Sequence, residues 1–175
     1  SSTGDVDITA MALQCLAPYK NDQEISKIIE RAIEFLQSKQ NAYGGFVDSN
    51  GVVNAESTAQ VILALSVLGI NPEYDSRFLV AYGNPISALM NFHIEDEGFA
   101  HIEGGSANPI ATEQAAMALA AYKRFKDGKT TLFDLSDVEI HEMEFEKEDI
   151  KEEHLLPVDF EDIKGHWGEE IIRYL

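Results

Sequence analysis

One helix-opening pattern occurs three times in this chain, at Asp5–Tyr19, Asn54–Leu68 and Asn108–Tyr122, offset by 49 and then 54 residues. A period near fifty constrains the fold more than any other feature, because each supersecondary unit then buries its apolar face only against its neighbours. In this register Asp5, Asn54 and Asn108 align as N-caps, with Thr9, Thr58 and Thr112 four residues later. Short polar side chains there accept hydrogen bonds from the unpaired N–H groups of a first helical turn. Behind the caps, Cys15, Ala64 and Ala118 form a small-residue row and Leu16, Leu65 and Leu119 a leucine row; Tyr19, Leu68 and Tyr122 follow one turn on. Pro109 occupies a first helical position, where its missing N–H costs nothing, and Gly69 stands where a left-handed stop is expected.

A second element lies between the copies. The spacing of Ile25, Ile28, Ile29, Ala32, Ile33 and Leu36 predicts an amphipathic helix over 24–39 that runs into Gln40-Asn41-Ala42-Tyr43-Gly44-Gly45-Phe46. Its partner, Pro85–Phe92, leads into Glu95-Asp96-Glu97-Gly98-Phe99, so that Leu36 to Phe46 and Leu89 to Phe99 have the same separation. The unit therefore reads helix, Gly-Phe turn, short loop, helix, and residues 1–126 hold about two and a half units.

These residues resemble the repeats of the terpenoid cyclase and protein prenyltransferase superfamily. Gln40-x-x-x-Gly44-x-Phe46 looks like the Gln-x-x-x-Gly-x-Trp motif of triterpene cyclases, with Phe in place of Trp. Asp5-Val6-Asp7-Ile8-Thr9-Ala10 similarly resembles the Asp-x-Asp-Asp-Thr-Ala acid motif of the squalene-hopene type, with Ile8 replacing the last aspartate. The resemblance implies an all-α fold, a partial α/α toroid of stacked helical hairpins.

Protonating an alkene needs an unusually strong carboxylic acid, and clustered carboxylates are how a site arranges one. Ile8 removes part of that cluster, so Asp7 reads first as a helix-start charge favoured by the dipole, as does Glu56 in the second copy. The zinc ligands of prenyltransferases find no counterpart, because Cys15 sits in an apolar helical pattern and reads as a small core residue. The Gly-Cys-Gly-Glu-Gln run of complement-type thioester domains is missing, and Thr112-Glu113-Gln114 reads as capping or an inter-helix hydrogen bond. His93 and His101 flank an acidic turn without the spacing of a known metal motif. No phosphate loop and no Gly-x-Ser-x-Gly elbow occur, so neither a metal site nor a cofactor is expected.

The net charge of -18 is uneven. Residues 134–162 hold 13 Asp or Glu against Lys147 and Lys151 alone, a pattern that repels phosphate backbones and excludes nucleic-acid partners. The helical period fades over residues 127–157. That stretch reads as an acidic linker, irregular or with a short strand pair at Val138–His141 and Met143–Glu146; calcium binding is the weaker reading, since no EF-type loop occurs. From Val158 to Leu175 the pattern Phe160-Glu161-Asp162-Ile163 followed by Gly165-His166-Trp167-Gly168 resembles the opening of an S-layer homology module.

That resemblance implies an exported protein on the bacterial cell surface, whose complete module would bind a cell-wall polymer. A single Cys, which cannot form an internal disulfide, agrees with it. No apolar run of transmembrane length is present, so no membrane span is expected. The chain opens without Met and in mid-repeat, which points to a preceding export signal and further hairpins.

Two functions follow as expectations. The first is a non-catalytic, surface-displayed binding or scaffolding module that takes a small-molecule or protein ligand in the concave face of the toroid. Glu56, Gln60, Glu113 and Gln114 are its candidate ligand-binding residues, being polar and early in the repeated helices; cobalamin carriers with an α/α ring are the superfamily precedent. The alternative is an enzyme of the cyclase-like or polysaccharide-cleaving toroid class, with Asp7, Glu56 or Glu113 as the acid.

Overall fold

The computed structural model describes residues 4–139. These are mostly helical: α1 (Val6–Leu16, continued by a 3-10 turn Ala17–Tyr19), α2 (Gln23–Lys39), α3 (Ala55–Leu68), α4 (Pro85–Met90) and α5 (Pro109–Lys126). A two-stranded antiparallel hairpin, β1 (His93–Ile94) with β2 (Gly98–Phe99), pairs His93 with Phe99.

The aligned caps all form. Asp5 Oδ1 accepts from Ile8 N at 3.0 Å, Asn54 Oδ1 from Ser57 N at 2.8 Å, and Asn108 Oδ1 from Ile110 N and Ala111 N at 2.9 and 3.0 Å. The aligned threonines each donate Oγ1–H to the cap carbonyl, Thr9 to Asp5 at 2.6 Å, Thr58 to Asn54 at 2.8 Å and Thr112 to Asn108 at 2.9 Å. Two of these hydroxyls also reach backwards. Thr58 Oγ1 accepts from Phe46 N (3.2 Å) and Thr112 Oγ1 from Phe99 N (2.9 Å), which ties each Gly-Phe turn to the helix that follows it. Each Phe carbonyl then accepts from the next cap, Asn54 N at 3.4 Å and Asn108 N at 2.8 Å.

The members of the 40–46 motif serve this same stitching. Gln40 Nε2 donates to Gly44 O (3.2 Å) and to Phe78 O (2.9 Å), and Phe46 is fully buried with its ring 6.3 Å from that of Phe78. Gly44 has φ +95, and a Cβ there would stand 2.3–2.8 Å from the Asn84 backbone, so no larger residue fits.

Helices α1, α3 and α5 lie side by side and run the same way. Asp7 and Ser57 meet at the starts of α1 and α3, Lys20 Nζ donates to Leu68 O (2.8 Å) at their ends, and Ala121 and Phe125 of α5 border the same hollow as Ser66 and Gly69. Gly69 closes α3 in the left-handed conformation, as expected. Small residues allow the close approach: Ala10, Ala55, Ala59, Ala64, Ala111, Ala115 and Ala118 are at most 1% exposed. Helix α2 lays Ile29, Ile33 and Leu36 on this layer and leaves Ile28 exposed.

The rows do not stay in one environment. Ala64 and Ala118 are buried, but Cys15 is exposed, so it is not the core residue that its apolar helix implied. Tyr19 is exposed as well, whereas Leu68 and Tyr122 are buried. The cause is position: α3 has a neighbour on each side, while α1 presents an outer face with Ile8 and Met11 in the open. Beyond α5, residues 127–139 fold back on its end, with Arg124 Nε donating to Thr130 O (2.9 Å) and its Nη2 paired with Asp137. The rest of the acidic stretch, most of the 138–146 alternation and the 158–175 resemblance lie outside the described residues.

Replacing Thr58 by Val should leave the buried Phe46 N–H and the α3 start without their hydroxyl, at a cost of about 1–3 kcal/mol in urea unfolding. The same change at half-buried Thr112 should cost less, and equal losses would mean that burial does not set the size of the effect.

Candidate functional site

Twelve of the fourteen residues of α3 are buried, and the two that are not, Glu56 and Gln60, are both among the residues singled out from the sequence. Each is held by a partner from another helix or loop. Gln60 Oε1 accepts from Gln14 Nε2 at 2.8 Å, and Gln60 Nε2 donates to Gln114 Oε1 at 3.2 Å, so three amides run head to tail across α1, α3 and α5. This orientation leaves Gln14 Oε1 as the acceptor end of the chain and Gln114 Nε2 as its donor end. Gln14 escapes the sequence reading because the position aligned with Gln60 is Met11, one turn earlier.

Glu56 Oε2 lies 2.8 Å from His101 Nδ1, and the loop carrying His101 is fixed by its own carbonyl, which accepts from Ala55 N at 3.0 Å. The histidine therefore partners a helix-start carboxylate. His93 stacks edge-on against Phe99 with centroids 5.1 Å apart. Among the described residues no group of three or more His, Cys, Asp or Glu is placed to hold a metal ion.

The remaining two candidates separate. Glu113 is exposed on the α5 surface and is not part of the glutamine chain. Asp7 is half-buried beside the fully buried Ser57, and among the described residues neither Asp7 Oδ1 nor Ser57 Oγ has a hydrogen-bond partner. Loss of water raises the Asp7 carboxyl above its ordinary range, and the charges of Asp5, Asp48 and Glu56 add to it. Ile8, at the position of the missing aspartate, is 69% exposed and supplies no second carboxylate.

A separate cleft of about 640 Å³ opens between the 41–46 turn, α4 and Glu103. It contains none of the residues singled out for binding or catalysis. No helix among the described residues is long and apolar enough to cross a membrane. No protein-family model, no curated protein and no solved structure matches this chain.

The Asp7 shift has a definite sign. A carboxyl whose proton is held more tightly in the folded state destabilises the fold as pH rises from the ordinary value of 3.8 to the raised one, and the loss persists above it. Asp7→Asn should therefore match the parent in Tm near the ordinary carboxylate range and exceed it at neutral pH. An Asn variant less stable at neutral pH would show that the helix dipole outweighs desolvation here.

Proposed function

We propose that residues 1–126 are successive units of an α/α toroid, and that the chain is a non-catalytic, surface-displayed binding or scaffolding module of a cell-wall-associated bacterial protein. The glutamine chain carries this reading. Three partly buried amides on adjacent helices, bonded to one another and open at a donor end and an acceptor end, can orient a polar ligand or partner while supplying neither nucleophile nor acid.

The toroid is supported by the contrast between α3 and its register mates. Leu63 is 3% exposed where the aligned Met117 is 38% exposed, and Ala64 is buried where Cys15 is open. A unit flanked on both sides closes its rows, and a flanking unit leaves one open for the next. The extracellular, cell-surface location and the cell-wall polymer as partner rest on the S-layer homology resemblance of residues 158–175. Scaffolding of a surface assembly is the form this function takes if no ligand is held.

The enzymatic alternative is favoured by one observation, the desolvated Asp7 carboxyl beside an unsatisfied hydroxyl. Against it stand the exposed Ile8, the engagement of Glu56 by His101 and the exposure of Glu113. If a turnover is found, its survival in Asp7→Asn would remove this residue as the acid, and its loss would favour the enzyme.

The binding reading is tested by native mass spectrometry of the chain after exposure to corrinoids and isoprenoid diphosphates, with co-sedimentation on purified cell wall in parallel. A retained stoichiometric mass should weaken by about tenfold in affinity in both Gln60→Ala and Gln114→Ala, the loss of one good hydrogen bond. Unchanged affinity in both variants would move the ligand away from the glutamine chain. A bare protein that still sediments with cell wall would favour scaffolding.

A further inference from the structure

Two of the most exposed aromatic side chains in the described residues are also firmly held. Tyr43 and Tyr82 are 60% and 72% exposed, yet their rings stack on each other with centroids 5.2 Å apart and planes 29° from parallel. The loops that carry them are stitched by Tyr82 N donating to Ala42 O at 3.0 Å. Glycines make that approach possible on both sides: a Cβ on Gly83 would stand 2.6 Å from Tyr43 O, and one on Gly44 would collide with Asn84. Rigid loops thus hold a wide aromatic surface in water, where isolated rings would gain by burial.

Of the two rings, Tyr43 also lines the cleft. Its floor includes Val53 and the buried Phe92, and its rim carries Asn41, Tyr43, Asn91 and Glu103. Asn41 Oδ1 already accepts from Tyr43 N (3.0 Å) and Gly45 N (2.9 Å), which assigns the remaining end of its amide as the NH2 donor. The lining therefore combines an aromatic face, amide donors and acceptors and one carboxylate, with no Lys or Arg among the lining residues. A carboxylate without a cation disfavours phosphates and other anions. A quaternary ammonium prefers several ring faces around it, and stacking leaves each tyrosine only one face outward.

We infer that this cleft takes a neutral oligosaccharide, one sugar ring lying on the tyrosine platform while Asn41, Asn91 and Glu103 bond its hydroxyl groups. The apolar face of a pyranose matches the ring surface, its hydroxyls match groups that both donate and accept, and the cleft volume lies in the range of small-molecule sites. The site shares no residue with the glutamine chain, so it stands apart from the concave-face reading.

The test is calorimetric titration of the full chain with tetrasaccharides of β-1,4-linked glucose, β-1,4-linked N-acetylglucosamine, β-1,4-linked mannose and α-1,4-linked glucose. At least one should bind, Tyr43→Ala should weaken it by about tenfold, and Tyr43→Phe, which keeps the ring, should restore it to within about twofold. Gln60→Ala should leave sugar binding unchanged. Both tyrosine side chains are exposed, so circular dichroism should show the variants folded. Failure of all four sugars to bind at millimolar concentration would overturn the assignment, as would binding that is indifferent to Tyr43→Ala. Tyrosine-dependent self-association in sedimentation velocity, without sugar binding, would also overturn it and make the platform a protein-docking surface.

Discussion

The burial of α3 on every side is the constraint on which the described structure depends. A helix with only Glu56 and Gln60 outside the core cannot stand at a surface, so it requires α1 and α5 as parallel neighbours and the turn at Phe46 against its start. The alanine rows follow from the same demand, because larger side chains would hold the three backbones apart. Thr58 shows how local and tertiary needs join: its hydroxyl donates within its own helix start and accepts from the turn before it.

That demand also decides where chemistry is available. Polar groups on α3 are tolerated only where a partner meets them, and the partners come from other elements, Gln14 and Gln114 for one and His101 for the other. Asp7 and Ser57 are the exception, a pair of buried polar atoms left unsatisfied at the junction of two helix starts. Such groups are costly where water is excluded, and the loss of water raises the Asp7 carboxyl above its ordinary range. The tyrosine platform has a different origin, in turn backbones that approach too closely for any residue but glycine.

Much of the fold was legible along the chain. The three caps, the three threonines, the Gly69 stop and the amphipathic α2 stand where their residues predict them, and Gln60 and Gln114 do meet. Cys15 reads as a core residue because most of its helix is apolar, and nothing in that pattern says that its side of α1 faces outward. Gln14 carried no such signal, because the register sets Met11 against Gln60 and the amide that reaches Gln60 stands one turn further along α1. His101 read as one end of an acidic turn, since its bond to Glu56 spans 45 residues. The pairing of Tyr43 with Tyr82 had no signal beyond two tyrosines near glycines.

What the sequence determined by itself is everything set by residues a few positions apart: caps, helical stripes and tight turns. These depend on backbone hydrogen bonds within a turn or two, and local side chains suffice to specify them. Only the tertiary structure decided which copy of each row is buried, which amides join, which carboxyl is stripped of water and which rings share a platform. Each of those depends on whether a neighbouring element stands beside the residue, and that is a property of the assembled layer of helices rather than of any one segment.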